Sequence, residues 1–181
     1  MTTVTSTFDL TPFLRGLAQS ADVPRLAAKA GGAVVALVQQ RLRDYGRTHP
    51  NRLGGPTTNY YGRAADFTGL RVYGGTVDIS TTQVGIDHRI YGGVITARKG
   101  KYLAIPVDVQ AMGKSPRSMN LVPVIRFLNG KPRLLALAEP GTGRRMFAMK
   151  NSVRQFGDPA IMPSESEVQA AADGGVAEAL K

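Results

Sequence analysis

A chain of 181 residues, 43% hydrophobic and 20% charged, has the length of a single domain and enough apolar side chain to bury a core. It contains no cysteine, which excludes a disulfide scaffold, a thiolate metal site and a cysteine nucleophile. Lys and Arg number 23 against 13 acids; residues 158–181 hold five of those acids (Asp158, Glu165, Glu167, Asp173, Glu178) and one base, leaving 22 bases and 8 acids in residues 1–157, a body suited to work near polyanions.

In chain order, Phe8, Leu10, Phe13, Leu14 and Leu17 space as a short helix after a turn at Thr11-Pro12. Asp22 is placed to cap a longer helix with Pro24 in its first turn. Leu26, Ala30, Val34, Leu37, Val38, Leu42 and Tyr45 form its apolar stripe, with Arg25, Lys29, Arg41, Arg43 and Asp44 on the other face. Gly31-Gly32 predicts a kink or close packing inside this helix, which ends by Gly46. Residues 49–56 read as a loop, and Thr57 or Thr58 as the cap of a helix striped by Tyr60, Tyr61, Ala64, Ala65 and Thr68.

The period then changes from 3.6 to 2. Residues 70–80 form a hairpin turning at Gly74-Gly75, which pairs Val72 with Val77, Leu70 with Ile79 and Arg71 with Asp78. A second hairpin is expected over 91–107, with arms Val94–Ala97 and Tyr102–Ile105 and a basic tip of Arg98, Lys99 and Lys101. A third, over 121–139, turns at Asn129-Gly130 and sets Ile125 opposite Leu134 and Val124 opposite Leu135, apolar on both faces. That register also sets Arg126 opposite Arg133, a like-charge pair relieved by an anion, an acidic partner or a different register. Residues 106–120 have no period and read as a loop that is functional or ordered by a partner. Arg144–Lys150 fits a strand or a short helix, and the tail runs extended into an alanine-rich helix interrupted at Gly174-Gly175, marginal without a docking surface.

Catalytic chemistry finds little support, and no catalytic residue, metal ligand or cofactor is expected. Gly113-Lys114-Ser115 ends like a phosphate-binding loop, but the first glycine position holds Asp108. Gly141-Thr142-Gly143 opens like a dinucleotide fingerprint, but its third glycine position holds Met146. His49 and His88, the only histidines, lack a second ligand at helical spacing, and the acids of the body are scattered singly. Arg98, Lys99, Lys101, Lys114, Arg117, Arg144 and Arg145 are expected at the surface as phosphate-facing positions, while the absence of Trp removes an obvious stacking platform. No apolar run reaches the ~20 residues of a membrane span, and the opening MTTVTSTFDL lacks a signal-peptide pattern, so a soluble, cytoplasmic product without a membrane partner is expected.

Four stretches resemble the neck or tail-completion (virion morphogenesis, head–tail joining) proteins of tailed bacteriophages. LVQQRLRDYGRTHPNRLGG with the following TTNYYGRAA is similar to the helix and loop that open them. VGIDHRIYGGVITARKGKYLAIPV is similar to their strand, aromatic-Gly-Gly turn and hairpin ending in Ile-Pro. The hairpin at 121–139 is similar to the strand pair that follows, and FAMKNSVRQFGDPAIMPSESEVQ to the closing region; together these span about residues 35–170.

The resemblance implies an α+β fold, a curved antiparallel sheet of hairpins packed on a long amphipathic helix, with an extended loop and a C-terminal arm. The corresponding divisions are an N-terminal extension (1–22), a core domain (23–150) and a C-terminal arm and helix (151–181). It further implies a structural, ring-forming subunit, commonly six-fold, that joins a tail to a DNA-filled head. Its expected place is the virion neck or tail, and the host cytoplasm during assembly. Its partners would be copies of itself, other neck, connector and tail proteins, and genomic DNA passing through the channel. Val124, Ile125, Phe127, Leu134 and Leu135 offer a subunit interface. A tail terminator or head-completion ring of the same particle, or a basic nucleic-acid-binding module, are the alternative readings.

Overall fold

The computed structural model describes residues 4–9, 23–49, 58–73, 76–97 and 101–181. The fold is α+β with antiparallel sheets, and the chain divides into two compact units. One draws on residues 1–49, 59–92 and 156–181, the other on 50–58 and 93–155.

The first unit is organised by α1 (Val23–Thr48), which runs two residues beyond the expected end at Gly46. Leu26, Ala27, Ala30, Val34, Val38 and Leu42 are buried along one stripe, as the helical spacing predicts. α1 packs on α2 (Tyr60–Asp66) and on a three-stranded sheet of β1 (Val4–Asp9), β2 (Thr68–Tyr73) and β3 (Thr76–Thr81), with β3 central. The β2–β3 register is the one expected: Leu70↔Ile79, Arg71↔Asp78 and Val72↔Val77. Gly31 meets the close-packing expectation, because a Cβ there would stand 2.7 Å from both Leu70 Cδ1 and Val77 Cγ1.

Several local expectations are corrected. Phe8 lies in β1, paired with Val77, rather than in a helix. Thr68 begins β2 instead of extending the α2 stripe. Asn59, in the left-handed region at φ 48°, occupies the N-cap position expected of Thr57 or Thr58. The expected helical residues Leu10, Phe13, Leu14 and Leu17, the Asp22 cap, the 50–56 loop, Thr57, the Gly74-Gly75 turn and the tip residues Arg98, Lys99 and Gly100 lie outside the described residues.

The tail is docked. α3 (Ile86–Tyr91), a turn bracketed by Gly85 and Gly92, receives the Asp158 N–H on the Arg89 carbonyl at 2.8 Å. The Tyr45 hydroxyl donates to Asp158 Oδ2 at 2.6 Å while its ring stacks on His49. After a 3₁₀ turn at Pro159–Ile161 comes α4 (Glu165–Ala179), started by a Ser164/Glu167 capping box and unbroken through Gly174-Gly175. α4 lies along α1, burying Val168, Ala172 and Val176, with Arg41 paired to Glu167 and Arg25 donating to the Ala179 carbonyl. Residues 156–181 are therefore part of a compact unit rather than an arm awaiting assembly, because α1 supplies the surface that the weak helix needs.

The second unit holds two sheets. β4 (Gly93–Thr96) pairs with β9 (Ser152–Gln155), and β5 (Leu103–Pro106), β8 (Arg145–Lys150), β7 (Lys131–Ala138) and β6 (Val122–Leu128) form a four-stranded sheet in the order β5-β8-β7-β6. The hairpin expected over 91–107 is thus absent from the described residues: Val94–Ala97 and Tyr102–Ile105 take distant partners instead of each other. The long loop is ordered by its own unit. Val107 N–H donates to Met146 O, and Ala111 is buried with Met146 and Phe147, packed by Ala104, Met119, Leu121 and Leu137. A register shift on β8 leaves both Met146 and Phe147 buried although they are adjacent in sequence.

Two predictions follow from the docked tail. A Cβ at Gly175 would stand 2.7 Å from Lys29 O, whereas nothing lies within 4 Å of one at Gly174. Gly174→Ala therefore stabilises by about 0.5–1 kcal/mol and Gly175→Ala destabilises by about 1–3 kcal/mol, read from urea unfolding midpoints. The Tyr45 hydroxyl and Ala160 N–H hold the Asp158 carboxyl below its ordinary value, and Ser164 with Arg41 does so for Glu167. Depressed carboxylates contribute stability above the ordinary range of about pH 4 and lose it as pH falls through their folded values. The tail therefore becomes protease-sensitive as acidity rises below about pH 4, and Glu167→Gln shows a smaller pH dependence of cleavage; an unchanged dependence would contradict the assignment.

Candidate functional site

The β6–β7 hairpin turns at Asn129 and Gly130, both with positive φ, as an Asn-Gly pair allows. Its ladder sets Ile125 opposite Leu134 and Arg126 opposite Arg133, as expected. Val124, however, pairs with Ala136 and not with Leu135, because a bulge between Val124 and Ile125 leaves Leu135 as the extra residue on β7. Alternation places Ile125, Phe127, Pro132 and Leu134 on one face, and Val124, Arg126, Leu128, Lys131 and Arg133 on the other. The apolar face is open: Ile125 is 51% and Phe127 70% exposed, with Leu134 half-buried; off that face, Leu135 is 38% exposed and Val124 half-buried. β6 is also an edge strand, with Pro123 the one residue in it that lacks an N–H.

The ribbon leaves the rest of its sheet early. β7 pairs with β8 only through Ala136, Leu137 and Ala138, so Lys131–Leu135 diverge from β8. The notch between them is a cavity of about 470 Å³. Lys101, Lys131, Arg133 and Lys150 line it, over a floor of Tyr102, Pro132, Leu134, Leu135 and Met149. No acid lines it, and among the described residues none of these four cations enters an ion pair. Lys101 Nζ lies 5.9 Å from the Tyr102 ring centroid, a weak cation–π approach.

Of the seven cations expected to face phosphate, the fold brings Lys101 alone into this notch. Lys114, Arg117 and Arg145 are exposed and line no part of it. Arg144 is engaged: its guanidinium bonds Asp108, whose carboxyl also accepts from Gln110 N–H, and the two hold Asp108 below its ordinary value. Arg98 and Lys99 lie outside the described residues. Lys131, Arg133 and Lys150 were not picked out from sequence, since what gathers them is where β7 parts from β8; the available signal was the Arg126/Arg133 pair.

Charge follows the division into units. Residues 93–155 contain twelve Lys and Arg against two acids, Asp108 and Glu139, a net +10 that equals the whole protein's charge. The remaining residues balance at eleven bases and eleven acids.

The first unit offers less chemistry. Tyr45, Tyr60 and Tyr61 cluster with Arg89, whose guanidinium lies 4.2 Å from the Tyr60 ring centroid. Burial pushes the Tyr60 hydroxyl up to about 12 against the pull of Arg89. His88 Nδ1 is 3.1 Å from Asp87 Oδ1; burial of Asp87 opposes its ionisation, but the bonds from His88 outweigh it and hold the carboxyl low. Among the described residues no three His, Asp or Glu gather as a metal site, and no helix is long and apolar enough to cross a membrane. Comparison with protein-family models, with characterised proteins and with solved structures finds no match.

One prediction concerns the loop under the sheet. Asp108→Asn removes the partner of Arg144 and weakens the bonds that fix Val109–Ala111, so amides of 107–112 exchange faster in that variant while those of α1 do not.

Proposed function

We propose that this chain is a self-associating structural subunit of the neck of a tailed-phage particle, a tail-completion or head–tail joining protein that works mechanically and not as an enzyme. The observation that carries the reading is the open β6–β7 ribbon, with Ile125 and Phe127 exposed on an edge-strand hairpin. Exposed apolar residues on a sheet edge are an aggregation hazard unless another chain covers them. Side-by-side contact between copies, repeated around a closing rotation, covers every ribbon and generates a ring. The resemblance over residues 35–170 supplies the setting: a ring, commonly six-fold, between connector and tail, with DNA passing through.

Docking of the tail and ordering of the 106–120 loop remove two segments from the parts that assembly would have to order. The ribbon remains. A tail terminator or head-completion ring would use the same surface. A nucleic-acid-binding module is favoured by a separate observation, the concentration of the net +10 in residues 93–155.

Sedimentation velocity of the full chain over a concentration series tests the reading. A closed oligomer is expected, and Ile125→Asp with Phe127→Asp shifts it to monomer without loss of helix content, since both side chains are more than half exposed. A wild-type chain that stays monomeric at high concentration, and is absent by mass spectrometry from purified particles, contradicts it.

A further inference from the structure

The cleft where β7 parts from β8 has the composition of a binding site rather than of a solvated face. We infer that Lys101, Lys131, Arg133 and Lys150 form a site for the phosphodiester backbone of a nucleic acid. Two observations, which share Arg133, point to an anion. The four cations line one cavity with no acid among its residues. Beside it the ladder sets Arg126 directly opposite Arg133, although like charges across a strand pair are unfavourable. Of the three ways to relieve that pair, a different register is removed by the observed ladder, which leaves an external negative charge.

The kind of anion follows from the lining. A small free anion would leave the floor of Tyr102, Pro132, Leu134 and Met149 uncovered. An extended nucleic-acid strand matches both parts of the lining, its phosphates meeting the cations while sugar or base lies over the apolar floor. The surrounding residues 93–155, twelve cations to two acids, add the long-range attraction that draws in a polyanion. This inference does not depend on the neck reading, since the cleft lies wholly within one unit of a single chain.

The test is fluorescence anisotropy of a labelled single-stranded 24-mer and its duplex with the full-length chain, from about 50 to 200 mM salt. Lys131→Gln, Arg133→Gln and Lys150→Gln are combined in one variant. Lys114→Gln, Arg117→Gln and Arg145→Gln, with the same loss of charge on exposed sites of the same unit, are combined in another. The cleft variant is expected to bind at least about tenfold more weakly and to lower the slope of log affinity against log salt by about 2 to 3, at roughly 0.7–0.9 per phosphate contact. The other variant should change affinity less than about threefold and leave the slope nearly unaltered. Equal effects of the two variants would show a diffuse field and overturn the site, as would absence of DNA binding by the wild-type chain. Polyglutamate of matching length is the competing probe: if it binds as tightly as DNA, and the cleft variant loses both alike, the ligand is an acidic protein. Melting of the free chain gives a check that does not rely on binding. Arg126→Ala raises the melting temperature and shrinks the upward shift produced by DNA; a lowered melting temperature would mean the arginine pair carries no strain for an anion to relieve. Sedimentation of the same samples separates the two proposals, because lost DNA affinity with intact oligomers counts against the cleft alone.

Discussion

A four-stranded sheet that, with the loop beneath it, buries five side chains among the described residues, Ala111, Ala136, Ala138, Met146 and Phe147, cannot cover its own outer half. That shortage of interior governs the second unit. The loop 106–120 has enough apolar side chain to close one patch of the sheet, through Ala111 and Met119, and the β6–β7 ribbon runs on past it. The first unit shows the opposite economy: α1 is covered by a sheet on one side and by α4 on the other, and its stripe from Leu26 to Leu42 is sealed. The chain thus combines a finished framework with a surface left open.

The open surface has two characters that the pleat keeps apart. One face of the ribbon carries Ile125 and Phe127, which lose unfavourable contact with water when another apolar surface meets them. The other carries Arg126, Lys131 and Arg133, which gain from an anion. Because successive side chains alternate, a single strand pair can present both without either interfering. Segregation of all the net charge into residues 93–155 leaves the remaining residues balanced and concentrates the attraction for polyanions where the ribbon and the notch lie. An exposed edge ribbon thus stands beside a cationic notch in the same sheet.

Features set by neighbours in sequence were legible. The α1 stripe, the β2–β3 register and the Asn129-Gly130 turn each depend on spacing within a dozen or so residues, and each is found. The capping box of Ser164 and Glu167 carries the same kind of local signature, Ser-x-x-Glu ahead of the helix. Features set by distant partners were not legible. The arms at 94–97 and 102–105 look like a hairpin, yet residues 145–155 outcompete the local pairing. The bulge at Leu135 could not be foreseen because each ladder register is locally acceptable until β8 fixes one end of β7. The α4 helix looked weak because its strength lies in α1, where Gly175 sits against the Lys29 carbonyl. The cationic notch is hidden for the same reason: Lys101, Lys131 and Lys150 come from three strands or their flanks.

Amide hydrogen exchange of β6 in the full chain, followed as protein concentration is raised, bears most directly on whether the ribbon is completed by another copy. Protection across Val122–Leu128 is predicted to climb with concentration, while that of α1 and α4 stays constant. Rapid, concentration-independent exchange along β6 in solutions where the protein has already assembled would show that the copies meet elsewhere, and the account would be wrong at its centre.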